Sequence, residues 1–161
     1  MASSEKSLSA NKIPQNVDLS KYSFAVVVAE WNEQVTESLY AGCYQTLLAA
    51  GIESDKIHRS NVPGTFELSL GGQWMAARKD VDAVICLGCV IQGETRHFDF
   101  ICEAVANGIT NVGLKYNKPV IFGVLTTDNM QQALDRSGGK HGNKGDEAAA
   151  TAIKMLQIRD N

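Results

Sequence analysis

Short apolar segments alternate with longer amphipathic segments along most of the chain. Four apolar runs predict β-strands, at residues 24–29, 56–62, 81–90 and 119–125. Elsewhere apolar side chains recur at helical spacing, which predicts helices at residues 33–50, 65–78, 98–114, 128–136 and 146–157. The glycine-rich segment at residues 137–145, before the last helix, is interpreted as a flexible hinge.

Strands that alternate with helices are typical of a parallel sheet covered by helices on both faces. We therefore predict an α/β fold, a three-layer α/β/α sandwich around a four-stranded parallel sheet. In such sheets the ligand lies beyond the carboxyl ends of the strands. The segments that follow the strands should consequently converge, namely Trp31, residues 63–67, residues 92–97 and residues 126–127.

The sequence predicts an apolar side for the second helix and capping residues for the second and fourth helices. One side of the second helix is apolar and is formed by Phe66, Leu70, Trp74 and Ala77. Thr65 can cap the start of that helix, and Asp128 is the expected N-cap of the fourth.

Composition excludes several classes of protein. The chain has 161 residues, enough for one domain, which we assign to residues 13–161 after a flexible arm at residues 1–12. The arm is polar and lacks the apolar segment of a secretory signal. With 44% hydrophobic residues and a net charge of -3, we expect neither a disordered chain nor a nucleic-acid partner. No apolar run approaches the roughly 18 residues of a membrane span, so we expect no membrane partner.

The cysteines and histidines do not predict a metal or redox centre. Cys86 and Cys89 form a C-x-x-C inside an apolar strand, where residues three apart point to opposite faces. We interpret them as small buried hydrophobic residues in a reducing cytoplasm. His58 and His141 have no partners at ligand spacing, so no metal site is predicted.

Residues 87–100 combine a strand end, a polar glycine turn and the start of an amphipathic helix. Unpaired backbone N–H groups and the helix dipole at such a start favour a bound anion. His97 lies in the first turn, and histidine exchanges a proton near neutral pH. The dipole favours the neutral imidazole, which beside a bound phosphate would act as a base. We prefer this interpretation to that of an ordinary surface histidine.

Three further side chains each allow two interpretations. Trp31 follows the first strand, where it either stacks on a flat heterocycle or is an ordinary aromatic at the rim. Glu67 either binds the hydroxyl groups of a polyol or is only a dipole-favoured carboxylate at a capped helix start, which is the better interpretation of that segment taken alone. Arg136 either clamps a phosphate through two parallel hydrogen bonds or is a solvated cation at a helix end.

The glycine-rich segment superficially suggests a P-loop. Asn143 stands where the second glycine belongs, Gly145 stands where serine or threonine belongs, and a helix rather than a strand precedes the segment. We therefore do not predict that it binds a nucleoside triphosphate. Within this segment, Lys144 is the residue whose side chain is a candidate to bind an anion.

Four motifs occur in order along the chain: VPGTFE at residues 62–67, GCVIQGETRHFD at 88–99, PVIFGVLTT at 119–127 and GNKG at 142–145. In order and spacing the chain resembles the lumazine synthase family, from about residue 24 to the last helix. The resemblance implies a flavodoxin-like fold and a transferase that catalyses the penultimate step of riboflavin biosynthesis. There a ribitylaminouracil condenses with 3,4-dihydroxy-2-butanone 4-phosphate to give 6,7-dimethyl-8-ribityllumazine, phosphate and water, without a metal or redox cofactor.

The resemblance also implies roles for individual residues. Trp31 would stack on the pyrimidine, and His97 would transfer protons during imine formation and phosphate loss. The rest of the pyrimidine and ribityl site would comprise Thr65, Phe66, Glu67, Val90 and Ile91. The phosphate site would comprise Gly93, Glu94, Thr95 and the catalytic Arg136. A neighbouring subunit would contribute Phe122, Arg136 and Lys144.

A site shared between subunits implies a homo-oligomer. The resemblance implies pentamers and a candidate partner, riboflavin synthase. It also implies an icosahedral shell of such pentamers, because the short connection at residues 137–143 lacks the insertion found in family members that stay pentameric. A strand near Val17 is expected to join the sheet of the neighbouring subunit. Two residues depart from the commonest family pattern: Gln92 stands where a basic residue is frequent, and Thr65 where serine or alanine is usual.

Three alternatives to this enzyme are considered. A non-catalytic carrier of flavin or lumazine would use the same pocket but would not need Arg136 beside His97. A shell protein with a vestigial pocket would not need the acid–base and phosphate residues, which are all present. A flavodoxin-like electron carrier fits the predicted topology, and only the motifs argue against it.

Overall fold

A computed structural model gives the architecture of residues 18–161. The predicted arm at residues 1–12 and the predicted strand near Val17 lie outside this part of the chain. The strands are β1 (Phe24–Ala29), β2 (Ile57–Val62), β3 (Ala83–Ile91), β4 (Val120–Thr127), β5 (Ser137–Gly139) and β6 (Gly142–Asn143). The helices are α1 (Glu33–Ala49), α2 (Leu68–Ala76), α3 (His97–Tyr116), α4 (Met130–Leu134) and α5 (Lys144–Asp160). In this part of the chain, none of the helices is both long and apolar enough to cross a membrane.

The first four strands form a parallel sheet in the order β2-β1-β3-β4. Every residue of β1 is buried, because β1 is a central strand and helices cover both faces of the sheet. The ladder between β1 and β3 runs from Phe24 opposite Ala83 to Val28 opposite Leu87. The four predicted strands and their parallel arrangement are confirmed.

Two helical layers each enclose an apolar core against the sheet. α1 and α5 pack on one face, where Leu39 joins the first core, and α2 and α3 pack on the other, where Ile109 joins the second. The predicted three-layer sandwich is confirmed. Cys89 belongs to the first core and Cys86 to the second, so the two thiols lie on opposite faces of β3 as the alternation predicts.

The segment between α4 and α5 is an ordered hairpin of β5 and β6, so the expectation of a flexible hinge is wrong. Asn143 orders it: its Oδ1 accepts the Gly145 N–H at 2.8 Å and its Nδ2 donates to the Ser38 carbonyl at 2.8 Å. A Cβ at Gly145 would lie 1.9 Å from the Leu39 carbonyl oxygen. Glycine at this position therefore allows α5 to approach α1 closely.

The second predicted helix is shorter than expected. Residues Thr65–Glu67 form a 3₁₀ turn, and α2 follows it. Gly71 and Gly72 allow α2 to lie close to the sheet, since a Cβ at Gly72 would be 3.0 Å from Cys86 Sγ. The small residues of α2 thus face the core, and the predicted apolar side is exposed, at Phe66, Leu70 and Trp74.

The N-cap of α4 is Asn129, and the expectation of Asp128 is wrong. The backbone of Asn129 is extended, and its Oδ1 accepts the N–H of Gln132 at 3.0 Å. The Asp128 carboxylate instead accepts a hydrogen bond from Gln132 Nε2 at 3.1 Å. Both residue types are good caps, and the extended backbone at Asn129 decides which side chain reaches the helix start.

Candidate active site

The carboxyl ends of β1, β2 and β3 surround a cavity of about 690 Å³, which we call the strand-end cavity. Its position is the one at which a doubly wound parallel sheet binds its ligand. The walls contain most of the side chains predicted for the pyrimidine and ribityl site, together with the predicted proton carrier: Trp31, Thr65, Phe66, Glu67, Val90, Ile91 and His97. Residues that are far apart in sequence are therefore brought together as the topology predicts.

The cavity opens because β1 and β3 separate at their ends. Their ladder stops at Val28 opposite Leu87. Beyond that point the Trp31 N–H donates to the Pro63 carbonyl at 3.2 Å, so the chain after β1 follows the chain after β2. Trp31 is left with 72% of its surface exposed in the cavity wall. A large ring held in this way is available to a flat ligand.

The segment after β2 forms the adjacent wall. Glu67 N–H donates to the Gly64 carbonyl at 3.2 Å and closes a short turn. Thr65 is buried, and its hydroxyl donates to the Cys89 carbonyl at 3.3 Å rather than capping the helix start, so the expected cap is wrong. Glycine at position 88 makes this contact possible, because a Cβ there would lie 2.8 Å from Thr65 Oγ1.

The loop between β3 and α3 carries the predicted anion site. Its first residue joins it to β4, because the Gln92 N–H donates to the Thr127 carbonyl at 2.8 Å. α3 begins at His97, after Arg96 as N-cap, and the His97 N–H donates to Thr95 Oγ1 at 3.4 Å. His97 is thus in the first helical turn as predicted, in the wall of the strand-end cavity. The predicted phosphate residues are exposed in the loop just before it: Gly93, Glu94 and Thr95.

The uncharged Gln92 side chain makes an internal hydrogen bond in this loop. Its Nε2 donates to the Gly93 carbonyl at 2.8 Å. A Cβ at Gly93 would meet no atom of residues 18–161 within 4 Å, so the backbone there is open to approach. The neighbouring cation, Arg96, pairs with Asp99 at 3.3 Å in an exposed position. Such exposed pairs contribute little energy, so Arg96 stays available to a stronger anion.

A second depression, of about 910 Å³, lies along β4 between α3 and α5, and we call it the β4 groove. It contains the three residues that were predicted to come from a neighbouring subunit: Phe122, Arg136 and Lys144. Lys144 Nζ pairs with Glu147 Oε1 at 2.6 Å. His97 and Arg136 therefore line different depressions of the described chain. Thr126 also lines the groove, but it pairs with Val90 across the ladder between β3 and β4, so the end of β4 meets the end of β3 as expected.

Cys89 lies in the wall of the strand-end cavity, and its side chain is buried in the first core. Burial raises the pKa of the Cys89 thiol to about 11, and burial raises the pKa of Cys86 to about 12. Since the thiolate is the nucleophilic form, Cys89 does not supply a nucleophile near neutral pH. Across residues 18–161, no three His, Cys, Asp or Glu side chains are grouped closely enough to hold a metal ion.

Comparison with known proteins agrees with the geometry. A family model described as 6,7-dimethyl-8-ribityllumazine synthase matches residues 21–160. The chain is 68% identical over 158 residues to the 6,7-dimethyl-8-ribityllumazine synthase of Cytophaga hutchinsonii, covering 97% of this chain and 98% of that protein. The proteins of the same name from Flavobacterium johnsoniae and Parabacteroides distasonis are 52% and 49% identical, with 99% and 98% of this chain covered and 84% and 99% of those proteins. The chain belongs to the 6,7-dimethyl-8-ribityllumazine synthase family.

Membership of the lumazine synthase family makes the chain a transferase enzyme of riboflavin biosynthesis, and the resemblance read from the motifs is confirmed. The non-catalytic carrier is not favoured, because the three relatives described above are all named as synthases. The sheet order and flanking helices fit the expected flavodoxin-like architecture.

The sequence analysis missed three residues of this lumazine synthase cavity: Asn32, Cys89 and Ile101. Ile101 lies four residues after His97 on α3, a spacing that places both on one helix side and was a usable signal. Asn32 directly follows Trp31 and has a left-handed backbone, with φ 62. Asparagine tolerates that conformation better than most residues, so a polar Asn between a strand and a helix was also a usable signal.

Proposed function

We propose that the strand-end cavity condenses 5-amino-6-(D-ribitylamino)uracil with 3,4-dihydroxy-2-butanone 4-phosphate to give 6,7-dimethyl-8-ribityllumazine, phosphate and water. One observation carries the assignment of the site. Trp31, Glu67 and His97 line a single cavity, and they supply an aromatic surface, an acceptor for hydroxyl groups and a proton carrier. The cavity volume of about 690 Å³ suits a small-molecule substrate.

In this proposal the uracil ring lies against Trp31. The exposed indole offers a flat face, and aromatic stacking contributes about 0.5–1.5 kcal/mol beyond burial of area. Val90 and Ile91, which are partly buried at the end of β3, line the heterocycle from the sheet side. The ring is thus held between a rim aromatic and a rigid strand.

The ribityl chain lies along the segment after β2. Phe66 is exposed and covers its carbon chain, and the Glu67 carboxylate accepts hydrogen bonds from its hydroxyl groups. Thr65 belongs to the same wall, but its hydroxyl proton is engaged by Cys89 O. Its oxygen therefore acts towards the ligand only as an acceptor.

The phosphate of the second substrate lies at the start of α3. Exposed backbone at Gly93, Glu94 and Thr95, the Thr95 hydroxyl and the positive end of the α3 dipole favour an anion there. His97 is then next to the phosphate and within the cavity that holds the uracil. It transfers protons as the amine of the uracil adds to the ketone and water leaves, and again as the phosphate departs.

A second copy of the chain completes the site. Family membership implies small-molecule substrates and a homo-oligomer. Arg136 and Lys144 lie in the β4 groove rather than beside His97, so we assign both, together with Phe122, to the neighbour's contribution. Arg136 is partly buried, and one of its nitrogens, Nη1, donates to the Gln132 carbonyl at 3.0 Å. That contact orients the guanidinium, whose remaining donors can grip a phosphate.

The proposed assembly is a pentamer, with an icosahedral shell of pentamers as its larger form and riboflavin synthase as a candidate partner. The hairpin of β5 and β6 supports the shell, because it keeps the connection between α4 and α5 short. A cytoplasmic location belongs to the same proposal, since Cys43, Cys86, Cys89 and Cys102 are all free thiols. Sedimentation velocity of the purified protein distinguishes a pentamer from a shell.

Most of the rate enhancement comes from holding two substrates together. Such positioning accounts for about 7–11 kcal/mol of a barrier in favourable cases. Proton transfer by a side chain contributes only about 10²–10⁴-fold. A variant without His97 should therefore retain measurable activity.

The test is to mix the two substrates with purified protein and to follow the absorbance of the lumazine. We expect formation of 6,7-dimethyl-8-ribityllumazine together with inorganic phosphate. A protein that binds the ribitylaminouracil and never forms product, even in a single turnover at high enzyme concentration, would instead be a carrier.

A further inference from the structure

The Cys89 carbonyl lies just beyond the end of the ladder between β1 and β3. Had the ladder continued in register from Val28 opposite Leu87, this carbonyl would accept the Trp31 N–H. That N–H donates to the Pro63 carbonyl instead. Cys89 is 2% exposed, and a buried carbonyl without a partner is unfavourable. Because the cavity opens at this point, the buried Cys89 carbonyl requires hydrogen-bond donors other than the Trp31 N–H.

Two side chains supply those donors. Asn32 Nδ2 donates to the Cys89 carbonyl at 3.0 Å, and Thr65 Oγ1 donates to it at 3.3 Å. A carbonyl oxygen has two lone pairs, so both bonds can form together. One atom of β3 thus fastens the segment after β1 and the segment after β2.

Asn32 is suited to this contact by its backbone. It occupies the left-handed region at φ 62 and ψ 45, immediately before α1. It stands at the N-cap of α1, yet its side chain does not cap that helix and is directed to β3 instead. The amide therefore serves the strand-end cavity.

We propose that Asn32, together with Thr65, is a positioning residue that sets the separation between Trp31 and the end of β3, and hence the width of the slot for the pyrimidine ring. Asn32 is the chain neighbour of Trp31, and Cys89 is the chain neighbour of Val90. This deepens the proposed function and rests on it. Arg136 and the loop at residues 93–95 are not bonded to this carbonyl, so the effect is confined to the ribitylaminouracil.

The test uses two variants of one position. N32G keeps the left-handed backbone and removes the amide, and N32D keeps the shape and replaces the donor by an acceptor. The loss of one net hydrogen bond should raise the KM for the ribitylaminouracil about 3- to 10-fold in both variants. The KM for the butanone phosphate should stay unchanged. A residue that only supports the fold would lower the melting temperature without separating the two KM values.

Three matched variants accompany them. N117G replaces the other asparagine with a left-handed backbone, at the far end of α3, and should leave both KM values unchanged. T65V removes the second donor to the Cys89 carbonyl and should also raise the KM for the ribitylaminouracil. In N32G/T65V the carbonyl loses both donors, so the KM for the ribitylaminouracil should rise by more than the product of the effects of N32G and T65V alone.

Equal rises in both KM values, or parent KM values in N32G and N32D, would overturn the role of Asn32. Failure of the unaltered protein to form lumazine would overturn the proposed function instead. In that case, titration with the ribitylaminouracil in a W74F background, where Trp31 is the remaining tryptophan, still measures the effect of N32G on binding. Unchanged affinity there counts against the positioning role, and weakened affinity supports it.

Discussion

The strand-end cavity and the β4 groove divide complementary chemistry between two surfaces of one chain. The cavity combines an aromatic ring, a carboxylate and an imidazole, whereas the groove combines an aromatic ring with the cations of Arg136 and Lys144. In the described chain neither depression contains both His97 and Arg136. A single copy of the chain therefore lacks part of the proposed catalytic site, and the proposed reaction requires two copies to associate.

The largest effect is expected from mixing two defective chains. H97A alters only the cavity and R136A only the groove, so each variant alone should lose most of its activity. If sites form between copies, co-assembly of equal amounts should restore function to about a quarter of the sites by random pairing. Activity is measured after joint refolding or co-expression. Mixtures no more active than the separate variants would show that the two surfaces do not share a site.

H97A by itself tests the proton transfer that is assigned to the strand-end cavity. We expect kcat to fall by about 10²–10⁴-fold because proton transfer is lost, with residual activity from the positioning of the substrates. H58Q, at the opposite end of β2 from the cavity, is the matched histidine control and should keep the parent kcat. A kcat for H97A within error of the parent value would remove His97 from the mechanism.

R136K tests the phosphate contact that is assigned to the β4 groove. The charge is kept but the planar fork is lost, so the KM for the butanone phosphate should rise on the order of tenfold. The KM for the ribitylaminouracil should change much less. Steady-state kinetics with each substrate varied in turn provides both values. Equal changes in the two would argue against a phosphate contact.

The two tryptophans test the cavity with a smaller effect. Trp31 and Trp74 are both well exposed, at 72% and 59%, but only Trp31 lines the cavity. W31A should weaken binding of the ribitylaminouracil about 2- to 10-fold, as expected for the loss of one stacking contact. W74F should not change it. Fluorescence quenching that survives in W31A and disappears in W74F would contradict the assignment.

The smallest effect concerns the pH dependence of stability through Cys86, a residue of β3, which lies between the two depressions. Burial raises the pKa of Cys86 from 9.0 to about 12, so the folded state holds this proton more tightly than the unfolded state does. The stabilisation is complete below pH 9 and is lost as the pH rises through about 12.

Urea unfolding at pH 8 and pH 10.5 measures this loss. Over that interval the parent protein should lose on the order of 1 kcal/mol more stability than C86A does. Equal losses in the two proteins would show that Cys86 is not the group responsible. Ligand affinity at pH 8 should be the same in both, since Cys86 lies on the face of β3 away from Cys89.

The fold was largely predictable because its central strands are apolar on both faces. β1 was located to the residue, since Phe24–Ala29 is a continuous apolar run between polar neighbours. β5 and β6 were missed, because short glycine-rich strands have no periodic signal and are ordered by Asn143 and Ser38 across the fold. The core face of α2 could not be predicted from the larger apolar residues, because apart from Leu68 that face consists of glycine and alanine.

The site was predictable where topology determines it. Parallel strands bring Trp31, Glu67 and His97 to one edge of the sheet, and that could be argued from the alternation of elements alone. Arg136 could not be placed in this way, because its proposed partner belongs to another copy of the chain. Asn32 was a usable signal as a polar residue between a strand and a helix, but its bond to the Cys89 carbonyl could not be predicted, because it depends on where β1 leaves β3.

The exposed side of α2 has a consequence for handling the protein. Phe66 in the preceding turn and Leu70 and Trp74 on the helix place large apolar groups in water on a single copy, and such surfaces favour association. Phe66 also lines the cavity, so contacts made on this side reach the wall of the strand-end cavity. Dilution should therefore lower specific activity as copies separate, and reconcentration should restore it.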